Sequence, residues 1–102
     1  MQLITISGIV MEDESRHSRN GFDFQFFKVC CHETRSDGKL LNEKNETIYE
    51  CYFMYEKDLP DLTQVKKGMR IFLTGNLEVE KIKGENNNDW KLNILVDNYT
   101  VE

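Results

Sequence analysis

The chain of 102 residues has the length of one compact domain, and its 39% hydrophobic residues suffice for a core, which excludes wholesale disorder. It contains no alanine and one proline, whereas Ile, Val, Thr, Phe and Tyr are plentiful, so strands are predicted and a helical bundle is excluded. The formal net charge of -5 argues against a partner as negative as nucleic acid, unless the basic side chains are concentrated locally.

The N-terminal residues and the cysteines indicate the compartment. Residues 1–6 lack the basic region of a signal peptide, and no apolar run reaches the roughly 20 residues that a membrane helix needs. Cys30, Cys31 and Cys51 cannot all pair within one chain, and adjacent cysteines in a strand point to opposite faces, which is poor geometry for zinc. We therefore expect a reduced, cytoplasmic protein with no membrane attachment, no metal and no cofactor.

Alternating side chains, bounded by glycines and polar stretches, predict five β-strands. Gly8, inside the first strand, indicates a bulge or a sharp bend. A polar connection over residues 12–21 precedes the second strand, and a long polar hairpin loop over residues 34–47 follows it. The predicted strands cover residues 3–10, 22–31, 49–56, 69–82 and 90–101.

Alternation also assigns faces in the second and third strands. Phe22, Phe24 and Phe26 recur at period two and are expected to pack in the core. The alternation breaks between Phe26 and Phe27, which predicts an irregularity of the strand at that point. The third strand carries four side chains on each face. Tyr49, Cys51, Phe53 and Tyr55 lie on one face, and Glu50, Tyr52, Met54 and Glu56 lie on the other.

One short helix is predicted between the third and fourth strands. Asp58 can cap it, Pro60 suits its first turn, and Gly68 marks its end. The apolar residues that recur at helical spacing are Leu59, Leu62 and Val65. Five bent strands with this helix are the layout of the OB-fold, so we expect an all-β, five-stranded OB-fold barrel in a single domain over residues 1–102.

Three segments resemble the bacterial single-stranded DNA-binding protein (SSB) family: Leu3–Val10, Arg16 with Asn20-Gly21, and Lys66–Leu77. The last resembles the family's lysine-glycine, apolar strand, glycine-x-leucine segment and is the most specific. The resemblance implies a homo-oligomer of OB-folds, a tetramer or a dimer, that binds single-stranded DNA with little sequence preference in replication, recombination or repair. Because the chain stops at Glu102, without a glycine-rich stretch and an acidic tip, the resemblance is to a tailless SSB-like or PriB-like protein.

The resemblance also implies contact residues. Tyr49 falls where the family has a stacking tryptophan, and Tyr55 falls near a second aromatic residue on the same face, whereas Cys51 and Ile82 replace a common arginine and a typical tryptophan. Basic side chains concentrate in the loops and around the hairpin that carries Trp90, as expected for contacts to phosphates. The expected DNA-binding set is Tyr49, Phe53, Tyr55, Trp90, Arg16, Lys28, Arg35, Lys81, Lys83 and Lys91.

The sequence also bears on two other function classes. The aromatic residues could instead cover an interface, which describes an OB-fold assembly protein whose aromatic face is buried in an oligomer or against a partner. The chain contains neither a nucleophile motif nor a phosphate-cradling glycine loop, so we do not expect an enzyme. Exposure of the rings in the assembled protein distinguishes the first alternative from DNA binding, since sealed rings cannot stack on bases.

Overall fold

The computed structural model describes residues 2–32, 46–56, 62–81 and 90–102, which form six β-strands. The strands are β1 (Gln2–Val10), β2 (Ser15–Arg19), β3 (Phe22–His32), β4 (Glu46–Tyr55), β5 (Arg70–Lys81) and β6 (Trp90–Val101). The all-β prediction is confirmed, although β4 begins inside the loop expected over residues 34–47, whose remainder lies outside the described ranges. Those ranges contain no helix of the length and apolar character that crossing a bilayer requires.

Five of the strands pair in a closed ring. β1 pairs with β5, β5 with β6 and β3 with β4, all antiparallel, while β4 and β6 pair in parallel. The ring closes where the end of β1 pairs with β3, at Ile9–Cys30 and Val10–Val29. The ring encloses a core to which every strand of the ring contributes: Ile6, Val10, Phe27, Val29, Cys51, Val65, Ile71, Leu73, Ile94 and Val96.

β2 is a strand that the sequence prediction assigned to a connection. Residues 15–19 are polar, so they lack the apolar alternation that identifies a half-buried strand. They pair with the start of β3 through the two-residue turn Asn20-Gly21, whose φ angles are 53° and 79°. An Asn-Gly turn with positive φ at both positions matches the twist of a hairpin. The predicted connection over residues 12–21 is therefore wrong for residues 15–19.

The inner face of β3 carries the fully buried side chains Gln25, Phe27 and Val29. Phe22, Phe24 and Phe26 point the other way, and Phe22 is 60% exposed. Their predicted core role is therefore wrong. The sequence prediction took Phe22, Phe24 and Phe26 as the buried set. The buried set is instead Gln25, Phe27 and Val29, whose first member is polar.

The ladder between β3 and β4 runs without a register shift from Asp23–Tyr55 to His32–Glu46. The predicted irregularity between Phe26 and Phe27 is therefore wrong. Gln25 obscures the alternation in the sequence, because its side chain is polar although it lies in the core. The core tolerates this side chain because it is hydrogen-bonded. Its Nε2 donates to the Thr63 carbonyl at 2.8 Å, and its Oε1 accepts from the Tyr99 hydroxyl at 2.6 Å.

The predicted short helix is not seen in the described part of the chain, where residues 62–66 form no regular element. Their backbone bonds to the β1–β2 connection instead of to itself: the Val65 N–H donates to Glu14 Oε2 at 2.6 Å, and the Glu14 N–H donates to the Val65 carbonyl at 2.8 Å. The helix prediction is therefore wrong for residues 62–66. Residues 57–61, which include the expected cap and proline, lie outside the described ranges.

Replacing Glu14 with alanine is expected to lower the free energy of unfolding by about 1–3 kcal/mol, because two buried donors lose their acceptor. Glu14 Oε2 accepts from the Val65 N–H and from Gln25 Nε2, and both of these residues are fully buried. Urea denaturation followed by circular dichroism measures the change.

Glu12→Ala is the matched control for Glu14→Ala. The Glu12 side chain is 58% exposed and lies 3.9 Å from Lys28 Nζ, so its removal is expected to change stability by less than about 0.5 kcal/mol. Equal losses in the two variants would show that Glu14 does not anchor residues 62–66.

Candidate functional site

Half-buried rings on the outer side of the sheet form one continuous surface across β2, β3 and β4. Phe24 lies between His17 on β2 and Met54 on β4, and Phe26 lies opposite Tyr52. The ring centroids of Phe26 and Tyr52 are 5.1 Å apart, those of Phe24 and Tyr52 6.0 Å, and those of His17 and Phe24 5.2 Å. We call these five residues the outer aromatic face. Its flat rings are available to a planar partner.

A groove continues from the outer aromatic face toward β6, with a volume of about 450 Å³. It brings together three residues of the predicted DNA-binding set: Lys28, Trp90 and Lys91. Trp90 is 58% exposed, and Lys81 Nζ lies 5.9 Å from the centroid of its ring. We call this feature the lysine–tryptophan groove; its lining is Met11, Lys28, Ile48, Glu50, Trp90, Lys91 and Leu92.

Acidic side chains pair with both lysines of the groove. Lys91 Nζ lies 3.1 Å from Glu50 Oε2, and Lys28 Nζ lies 3.9 Å from Glu12 Oε1. The hydrogen bond and the charge of Glu50 raise the pKa of Lys91, so its ammonium group is the favoured form. Burial, followed by the charge of Glu50, raises the pKa of Tyr52 on the outer aromatic face. An incoming anion therefore has to compete with these carboxylates for the lysines.

Three aromatic residues of the expected set lie on the other face of β4. Tyr49 and Phe53 pack against the core, and the Phe53 ring meets the Tyr99 ring edge-on with centroids 5.1 Å apart. Burial raises the pKa of Tyr49. Tyr55 shares this face by alternation with the buried Cys51. The structure thus separates these rings from the outer aromatic face, and their binding role stays a prediction.

Arg16 of the expected set lies on β2, apart from the lysine–tryptophan groove. Its register partner is the buried Gln25, and its Nε donates to Glu14 Oε1 at 2.6 Å. This hydrogen bond is the largest cause that raises the Arg16 pKa. Arg35 and Lys83 lie outside the described residues.

Sequence reasoning missed that the half-buried rings of Phe24, Phe26 and Tyr52 share the outer surface of the sheet. A signal was present in Cys51, because unpaired cysteine is among the most frequently buried residues. A buried Cys51 assigns its face of β4 to the core and leaves Tyr52 outside. The register then places Phe26 beside Tyr52, and alternation turns Phe27 inward.

Comparison with known proteins finds similarity in structure alone, since no family model and no curated protein matches the sequence. The small single-stranded DNA-binding protein of Streptomyces coelicolor superposes with a TM-score of 0.74 at 12% identity, over 99% of this chain and 94% of that one. The SSB of Plasmodium falciparum, solved in complex with single-stranded DNA, gives 0.69 at 16% identity, over 100% and 95%.

A third structure, the wild-type single-stranded DNA-binding protein of Thermus aquaticus, gives a TM-score of 0.64 at 12% identity. The match covers 100% of this chain and 50% of that one, so the chain spans half the length of the Thermus protein. At these identities the likeness shows a shared fold. The chain therefore has the fold of SSB proteins, which are OB-folds, as the sequence predicted.

Proposed function

We propose that this chain binds single-stranded DNA with little sequence preference, through the outer aromatic face and the lysine–tryptophan groove. The observation that carries the proposal is that the half-buried rings of the outer aromatic face lie next to a groove that holds Lys28, Trp90 and Lys91. This surface lies on a fold shared with an SSB that was solved in complex with single-stranded DNA. Every base has a flat face that can stack on such rings, which explains binding without sequence preference.

In the proposed complex, bases stack on Tyr52, Phe26 and Trp90, while lysine ammonium groups contact the phosphates. Each stacked base contributes about 1–3 kcal/mol. The phosphates replace the carboxylates of Glu12 and Glu50 as partners of the groove lysines, so the electrostatic gain is smaller than for unpaired lysines. Stacking therefore supplies most of the affinity of a chain whose net charge is -5.

Titration with oligo-dT is expected to quench the fluorescence of Trp90, the single tryptophan of the chain. If Lys28, Lys81 and Lys91 each neutralise one phosphate, the logarithm of the binding constant falls with the logarithm of the salt concentration with a slope of about -2 per chain. A series of titrations from low to moderate salt measures the slope. Absence of both quenching and an anisotropy change at low salt overturns the proposal.

Charge-removing variants test the lysine contacts in the same assay. Lys91→Gln is expected to reduce the salt slope by about 0.7, since one phosphate contact is lost. Lys66→Gln is the control, because Lys66 is exposed and lies beside Glu14 and Val65, away from the lysine–tryptophan groove. Equal slopes in the two variants would remove Lys91 from the interface.

The proposal includes assembly into a dimer or a tetramer that acts in DNA replication, recombination or repair. Leu3 on β1 is 73% exposed, and contact with a second copy would cover this apolar side chain. Size-exclusion chromatography with light scattering determines the number of chains, and the same measurement with oligo-dT shows whether the assembly binds DNA.

A second candidate function is an assembly protein in which a protein surface covers both the outer aromatic face and the lysine–tryptophan groove. Met54 of this face is 53% exposed, and Leu95, the register partner of Tyr52, is 41% exposed, which favours an apolar partner. Acrylamide quenching of Trp90 in the assembled protein separates the two candidates. An accessible tryptophan supports DNA binding, whereas a shielded one supports the interface.

A further inference from the structure

Three side chains with metal-binding atoms lie together at one end of the β3–β4 ladder. Cys30 and His32 are two residues apart on β3 and therefore share a face, and Glu46 on β4 is the register partner of His32. The thiol, the imidazole and the carboxylate each offer one donor atom, and the three atoms lie within 4.8 Å of one another. An uninterrupted ladder holds the backbones of all three residues in place.

The separations between these atoms are close to those of two ligands of one ion. Cys30 Sγ lies 3.8 Å from His32 Nε2, and Glu46 Oε1 lies 3.9 Å from Nδ1, the other nitrogen of the same ring. A single nitrogen of the imidazole binds a given ion, and with one donor atom from each residue the three atoms lie within 4.8 Å of one another. Tetrahedral zinc with ordinary bond lengths separates neighbouring sulfur, nitrogen and oxygen ligands by about 3.3–3.8 Å. Small side-chain rotations therefore bring the three donors to ligand spacing.

The imidazole has an unused polar atom at this place. His32 Nδ1 is buried and has no hydrogen-bond partner among the residues that the structure describes. Buried polar atoms are normally satisfied, so such an atom requires a partner that is a ligand, an ion or water. The Glu46 side chain is 45% exposed, which leaves a path for an ion to enter from solvent.

Cys31 does not belong to this cluster. It points to the opposite side of β3, where a Cβ added to Gly8 would lie 2.8 Å from its Sγ. Cys30 and Cys31 therefore do point to opposite faces of β3 and cannot both bind one ion. This does not affect the pair formed by Cys30 and His32. Alternation places these two on the same face.

We propose that Cys30, His32 and Glu46 bind one divalent metal ion of the zinc class, with one coordination position left to solvent. A thiolate, an imidazole and a carboxylate form a donor set that zinc accepts and that magnesium and calcium do not prefer. Binding releases the thiol proton of Cys30 to solvent. The charge of the ion is then balanced by one thiolate and one carboxylate, so this end of the outer sheet surface becomes less negative by one unit.

The test is a titration of the reduced full chain with Co²⁺, which reports thiolate coordination by charge-transfer absorption. We expect one Co²⁺ per chain, displacement by Zn²⁺, and release of one proton per bound ion. Cys30→Ser and His32→Ala are each expected to weaken binding at least about tenfold, the smallest loss seen on removal even of groups that support a ligand. Glu46→Gln is expected to weaken it in the same direction, and this partly exposed position gives a variant that does not disturb the core.

Two controls keep the result specific. Cys31→Ser removes a neighbouring thiol from the other face, and His17→Ala removes the distant imidazole of the outer aromatic face; both variants are expected to bind Co²⁺ as the parent chain does. The site is overturned if the parent chain shows no charge-transfer absorption. It is also overturned if Cys31→Ser weakens binding as much as Cys30→Ser. The outcome is independent of DNA binding, which is measured separately.

Discussion

Replacing Phe27 with alanine is expected to lower the free energy of unfolding by about 3–5 kcal/mol. Phe27 has no exposed surface, and its ring meets the Tyr99 ring edge-on with centroids 5.6 Å apart. Alanine would remove this contact and leave a cavity in a core enclosed by a ring of strands. Because a domain has a total stability of about 5–15 kcal/mol, the loss is large. Urea denaturation followed by circular dichroism measures it.

The neighbouring Phe26 is the matched control, because the same substitution one residue earlier acts on the opposite face. Phe26→Ala is expected to cost less than half as much stability, since the Phe26 ring is half-buried against Tyr52 and not enclosed. It is expected to weaken binding of oligo-dT instead. Similar losses of stability in both variants would contradict the assignment of the two faces of β3.

Replacing Tyr52 with alanine is expected to weaken binding of oligo-dT about 5- to 150-fold, which corresponds to one lost stacking interaction of about 1–3 kcal/mol. Tyr52 contacts the rings of Phe24 and Phe26, and its register partner on β6 is Leu95. It is therefore central to the outer surface. Anisotropy of a labelled oligonucleotide at low salt measures the change. Tyr52→Trp is expected to retain the affinity, because the larger ring still stacks.

Phe72→Ala controls for the loss of an exposed aromatic residue. Phe72 is 40% exposed on β5, where it pairs with Ser7 of β1, away from the outer aromatic face. Its removal is expected to leave the affinity for oligo-dT unchanged within about twofold, a difference of less than about 0.5 kcal/mol. Were Phe72→Ala to weaken binding as much as Tyr52→Ala, the contact would not be located on β3 and β4.

Much of the fold follows from local patterns in the sequence. The apolar alternation in residues 3–10, 22–31, 49–56, 69–82 and 90–101 predicts five strands that the structure contains, with shifted ends. β2 escapes prediction because its five residues are polar and its only signal is the turn Asn20-Gly21. The helix fails because the carboxylate of Glu14, far away in sequence, takes the backbone N–H of Val65. A hydrogen bond between residues so far apart in the chain produces no periodic pattern in the sequence.

The candidate site was predictable only in part. Basic residues beside Trp90 pointed to the hairpin, and the structure does bring Lys91 and Lys28 together with it. The aromatic residues were assigned by their resemblance to family positions, which selected Tyr49 rather than Tyr52. A shift of one residue reverses the face of a strand, so locating the outer aromatic face in the sequence depends on knowing that Cys51 is buried.

The two shortest pairings of the ring lie between β1 and β3 and between β4 and β6, whereas the β3–β4 ladder is long and uninterrupted. Short ladders open first in local fluctuations. The lysine–tryptophan groove lies over the β4–β6 pairing, with Lys28 on one side and Lys91 on the other. The rings of Phe26 and Tyr52 belong to residues of the β3–β4 ladder. The groove therefore lies over one of the two shortest pairings of the ring, and we expect local opening of this pairing to change the width of the groove while the β3–β4 ladder stays closed.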